Sequence, residues 1–169
     1  MINTYVPFIG HEEQKNLKNS IKKNYISTFG PTVAKFENIF SKIFNFKHAV
    51  ALNSGTSALH AALIASNVKA NDVVIVPSYT FAATANAITY VGAIPWFFDC
   101  AKDLILDLDK LSNILKKKTK IVNKKLILKE NGKTVKCIIP VQTFGQNIEF
   151  KKFEDFAKKN FLKIIFDSA

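Results

Sequence analysis

The 169-residue sequence is 48% hydrophobic, enough length and apolar content to bury a core, which excludes a disordered tail. A formal charge of +11 raises nucleic-acid binding, but all 24 cationic residues are lysine, scattered from Lys15 to Lys163, and the planar arginine fork that reads guanine edges is absent. Cys100, Cys137, His11, His48 and His60 show no metal-ligand spacing, and no signal-like start or run of 18 apolar residues is present, so a cytoplasmic protein with no metal, nucleic-acid or membrane partner is expected.

Three- and four-residue spacing of Leu17, Ile21, Val33, Phe36, Ile39, Phe40 and Ile43 predicts helices over 12–24 and 32–44, broken at Phe29-Gly30-Pro31. Short apolar strands then alternate with helices. Strands are expected at 49–52, 73–76, 95–98, 137–141 and 163–166, with helices at 56–65, 81–90, 108–117 and 150–160 between them. The exception is 119–136, which reads as a lysine-rich hairpin turning at Asn131-Gly132. Its neighbourhood, 116–136, is the densest basic stretch but carries no aromatic residue on which a base could stack, so a solvated face is the better reading.

Strands that are apolar throughout, VVIV at 73–76 and KIIF at 163–166, suit a parallel sheet covered on both faces. The fold class is therefore α/β, and ligands in such sheets collect beyond the carboxyl ends of the strands. Three places there are candidates. Ser54, Gly55 and Thr56 open an Ala- and Leu-rich helix whose unpaired N–H groups suit a phosphate, although a serine there can equally be an ordinary helix cap. Tyr79 and Phe81 stand where a strand passes into a helix; Phe81 could stack on a flat ring or be ordinary core. Asp167 ends an apolar strand and needs a cationic partner, such as a protonated pyridine nitrogen, or good hydrogen bonds, unless it merely caps a following helix. Together they describe a site for a flat, phosphorylated cofactor.

The motifs STFGPTVAKFENIF at 27–40, KHAVALNSGTSALHAAL at 47–63, NDVVIVPSYTFAATANAITYVGAIPWFFD at 71–99, PVQTFGQ at 140–146 and IIFDSA at 164–169 occur in this order. In them the chain resembles the N-terminal part of the DegT/DnrJ/StrS-type sugar aminotransferases. The resemblance implies the aspartate-aminotransferase fold and pyridoxal 5′-phosphate as cofactor. It implies that Ser54, Gly55 and Thr56 bind the phosphate, Phe81 stacks on the ring and Asp167 contacts the pyridine nitrogen. Thr28 corresponds to a substrate-contacting threonine, although Phe29 here separates it from Gly30-Pro31. The family's glutamate before the aspartate and alanine after it are replaced by Phe166 and Ser168.

The resemblance further implies an N-terminal segment at 1–30 and an incomplete cofactor-binding large domain at 31–169. The hairpin at 119–136 resembles an insertion of the LegC-type branch, which aminates UDP-linked keto sugars. The Schiff-base lysine and the small C-terminal domain are expected beyond Ala169, so the 169 residues alone are expected to be inactive and poorly soluble. The expected activity is transfer of an amino group, from glutamate, to a nucleotide-linked keto sugar in surface-glycan biosynthesis, by a homodimer. A sugar dehydratase using the same cofactor and a truncated non-catalytic remnant are the alternatives.

Overall fold

The computed structural model describes residues 6–27 and 30–169, in two compact units, Met1–Ala51 and Leu52–Ala169. The first unit holds two helices, α1 over His11–Lys22 and α2 over Pro31–Ile43. Proline at the first position of α2 needs no N–H partner there, which suits a helix start. The apolar stripe of α2, continued by its C-cap Phe44, forms a ladder of rings, Phe36 to Phe40 at 5.8 Å and Phe40 to Phe44 at 4.5 Å between centroids, yet no residue of the helix is buried.

The strand expected at 49–52 is absent. A strand exists only where a neighbour takes its backbone groups, and here the Ala51 N–H donates instead to the Glu37 carboxylate at 2.8 Å. Val50 is left 75% exposed.

The second unit runs α3 (Gly55–Ala65), β1 (Val73–Pro77), α4 (Ala82–Tyr90), β2 (Ile94–Phe98), α5 (Leu108–Lys118), β3 (Thr119–Val122), β4 (Lys125–Leu128), β5 (Thr134–Ile138), α6 (Phe150–Lys159) and β6 (Lys163–Ile164). The sheet order is β2-β1-β5-β4-β3, with β6 also paired to β5. Pairings β1–β2, β1–β5 and β5–β6 are parallel, whereas β3–β4 and β4–β5 are antiparallel. The architecture is α/β, as the apolar strands foretold, but the sheet is mixed because the two hairpins of 119–136 add antiparallel strands to the parallel ones.

Alternation along β1 divides the core. Val73 and Ile75 pack with Leu111 and Leu115 of α5 and Phe153 and Ala157 of α6. Val74 and Val76 point the other way, onto Leu59 and Leu63 of α3 and Ala87 and Ile88 of α4. In β5 the register against β1 slips between Val135 and Cys137, a bulge that keeps Val135 and Ile138, three residues apart, on one face.

The segment 119–136 is not one hairpin but two in succession. The first turns at Asn123-Lys124, both left-handed at φ 49° and 57°, the two-residue turn whose twist matches paired strands. The second contains Asn131-Gly132, where Gly132 takes φ 73° and donates its N–H to the Leu128 carbonyl. The residues 134–136 belong to β5, in the middle of the sheet. The ladder expected over 137–141 and 163–166 is interrupted because Pro140 has no N–H, but it resumes as a parallel bridge between Val141 and Asp167.

Candidate functional site

The sheet order reverses between β1 and β5. The chain leaves β1 into α4, on the face carrying Leu63 and Ile88, and leaves β5 into α6, on the face carrying Leu111 and Phe153. Two adjacent parallel strands whose connections part to opposite faces leave a crevice beyond their carboxyl ends. A cavity of about 610 Å³ lies there, within the usual range for small-molecule sites. It is lined by residues following β1 (Tyr79, Thr80, Phe81), those following β5 (Val141, Gln142, Thr143), the start of α3, and Asp167.

Gly55, Thr56, Tyr79, Phe81 and Asp167, five of the residues singled out from the sequence, line this one cavity. Ser54, the residue before Gly55, is not among the lining residues. Its hydroxyl accepts the Ser57 N–H at 3.2 Å, so it serves as the cap of α3, leaving the Gly55 and Thr56 N–H groups without a partner in the helix. A Cβ built on Gly55 would meet no protein atom within 4 Å except the Ala169 Cβ at 3.8 Å, so the space over this helix start is open. Phe81 is not core. It stands at the N-cap of α4 and is 82% exposed, an apolar ring presented at the cavity.

Asp167 is buried, and its backbone is locked into the sheet: its N–H donates to the Pro140 carbonyl and its carbonyl accepts the Gln142 N–H, each at 2.9 Å. Its Oδ2 accepts the Thr84 hydroxyl at 2.7 Å. Its Oδ1 receives only the Ala169 N–H, at a long 3.4 Å. Among the described residues no cationic side chain comes within ion-pair distance of it. A buried carboxylate so placed has acceptor capacity to spare and calls for a positively charged donor from the cavity.

Thr80, Thr84, Gln142 and Thr143 were not singled out from the sequence. The spacing of Thr80 and Thr84, one helical turn apart in a run of small residues, was the available signal. Thr143 Oγ1 is buried without a hydrogen-bond partner, and the next residue, Phe144, holds a left-handed backbone (φ 54°, ψ 31°) with its ring 6.4 Å from that of Tyr79. Thr28 lies outside the described residues.

These residues fit pyridoxal 5′-phosphate. An open helix start matches an anion, an exposed ring matches a flat heterocycle, and a buried acceptor with an unfilled oxygen matches a pyridinium N–H. No lysine lines the cavity.

The fold and the cavity define an α/β protein with the large-domain architecture of pyridoxal-phosphate aminotransferases. A DegT/DnrJ/EryC1/StrS aminotransferase from Brucella abortus superposes with TM-score 0.79 at 30% identity, over 94% of this chain and 41% of that one. The ntda structure from Bacillus subtilis with bound cofactor PMP does so with TM-score 0.77 at 25% identity, over 99% and 37%. The sequence is 32% identical to a GDP-perosamine synthase of Caulobacter vibrioides over 99% of this chain. Residues 7–169 match the DegT/DnrJ/EryC1/StrS aminotransferase family, and the chain belongs to it. It spans about two-fifths of the length of these relatives, 41% of the Caulobacter synthase.

Proposed function

We propose that the chain is the cofactor-binding part of a pyridoxal-phosphate aminotransferase that takes an amino group from glutamate and delivers it to a nucleotide-linked keto sugar for surface glycans. The observation that carries this is Asp167, a buried carboxylate that lines the β1/β5 crevice and whose Oδ1 has acceptor capacity to spare. The name of the Caulobacter relative, GDP-perosamine synthase, supports a nucleotide-linked sugar as the substrate class.

In this reading the cofactor, when bound, supplies an electron sink for the bonds broken at the amino-bearing carbon. The first turn of α3, with Gly55 and Thr56, binds its phosphate through backbone N–H groups and the threonine hydroxyl, while Ser54 holds that turn in place. Phe81 covers one face of the ring and excludes water from it. Asp167 holds a proton on the ring nitrogen, which keeps the ring electron-poor. The lysine that moves the substrate proton belongs to the remainder of a protein of its relatives' length, acting in the cytoplasm as a homodimer.

The test is spectroscopic. The purified intact gene product, loaded with pyridoxal 5′-phosphate, should lose its visible cofactor absorbance on adding glutamate and regain it on adding a nucleotide-linked 4-keto sugar, with an amino sugar as product. No spectral response to any amino donor would refute the reading, and a deoxygenated sugar without added nitrogen would make the protein a dehydratase.

A further inference from the structure

We infer that Thr80 and Thr84 form a one-way hydroxyl relay that aims the Asp167 carboxylate at the ring nitrogen of the cofactor. The inference rests on the cofactor reading above. Both threonines line the cavity, and both act through Asp167 as positioning residues.

Thr84 is wholly buried, in a turn of α4 whose neighbours Ala87 and Ile88 are equally buried. Valine would fill that volume without placing a hydroxyl in the core, so the hydroxyl has to be accounted for. Its partner is Asp167, 83 residues away in sequence, at 2.7 Å. Thr80 Oγ1 lies 2.9 Å from Thr84 Oγ1, in contact geometry that permits either atom to donate.

Counting protons settles the direction. A threonine hydroxyl carries one proton and two lone pairs, and a carboxylate only accepts. Thr84 gives its proton to Asp167 Oδ2, so none remains for Thr80, and Thr80 must donate to Thr84. A chain of donors pointing one way polarises each member and strengthens the last bond. That last bond pins one carboxylate oxygen, and the ladder contacts with Pro140 and Gln142 pin the backbone. With both fixed, the plane of the carboxylate is fixed as well, and Oδ1 is the oxygen left for a donor in the cavity. Phe166, a ring where a charged neighbour could have stood, packs edge-on against Phe150 at 4.8 Å and offers no polar group to do this work.

The test uses the intact gene product with pyridoxal 5′-phosphate labelled with ¹⁵N in the ring, reading the nitrogen's chemical shift and the dissociation constant by equilibrium dialysis. Thr84→Val should move the shift toward that of neutral pyridine and weaken binding about tenfold, the scale of one hydrogen bond to a charged group. Thr84→Ser, which keeps the hydroxyl, should restore both, and Thr80→Val should move both the same way by less. A folded Thr84→Val with wild-type shift and affinity would overturn the relay, as would a Thr84→Ser that behaves like the valine variant. If Thr84→Val does not fold, Thr80→Val decides alone, and wild-type values there overturn the proposal. A wild-type protein that fails to bind the cofactor at all would instead overturn the cofactor reading, and the relay's role with it.

Discussion

Gly55→Ala separates the needs of the fold from those of the cofactor. Gly55 is the first residue of α3 and its backbone lies outside the left-handed region, so alanine can adopt its conformation. The added methyl would meet only the Ala169 Cβ, at 3.8 Å, an ordinary contact. Alanine is favoured over glycine by up to about 1 kcal/mol inside a helix, and by less in the first turn, so stability should hold or rise, with Tm up by about 1–3 °C. In the proposed binding mode the same methyl would stand in the path of a phosphate oxygen approaching the N–H groups of the helix start. Blocking one or two charge-assisted hydrogen bonds costs about 1.5–3 kcal/mol each, so pyridoxal-phosphate affinity should fall at least about tenfold. Thermal melts of the intact gene product without cofactor, with equilibrium dialysis alongside, read the two effects independently. Unchanged affinity, or a melting temperature lowered by several degrees, would refute the assignment of this turn as a phosphate cradle.

Other expectations follow from the same geometry. Phe81→Ala removes a ring that packs on nothing in the core, so urea stability should stay within about 0.5 kcal/mol while cofactor affinity falls roughly five- to tenfold. Leu63→Ala empties a wholly buried position between α3 and the sheet and should cost about 3 kcal/mol by urea denaturation. Burial pushes the Cys137 thiol from its ordinary 9.0 up to about 12. An acid whose folded pKa is raised keeps its proton in the fold while the unfolded chain releases it. Its contribution is therefore intact below pH 9.0 and is lost as pH rises toward about 12, up to about 4 kcal/mol. Cys137→Val should flatten that part of the alkaline stability decline relative to wild type, and an identical decline in both proteins would contradict the burial.

The parts of the fold legible in the sequence are those with strong local patterns. VVIV reads as a strand buried on both faces and is one, and the apolar spacing of 150–160 predicts α6 to within a residue. The strand at 49–52 failed because apolar character does not supply a neighbouring ladder. The turn at Asn123-Lys124 was missed because its second left-handed position carries lysine where glycine usually marks such a turn. The candidate site was legible where suitable chemistry falls at a helix start or after a strand, at Gly55, Thr56, Phe81 and Asp167, which line one cavity, and the roles proposed for them come from the family resemblance. Thr84 escaped notice because its meaning lies in a contact across 83 residues, which no local pattern records. The crevice itself depends on α4 and α6 covering opposite faces, and that appears only once the strand order is known.

A crystal structure of the intact gene product grown with pyridoxal 5′-phosphate would show directly where the cofactor sits. The phosphate is expected on the backbone N–H groups of Gly55 and Thr56, the ring against Phe81, and the ring nitrogen within hydrogen-bond distance of Asp167 Oδ1. A cofactor bound elsewhere, or in this cavity with its nitrogen turned away from Asp167, would contradict that placement.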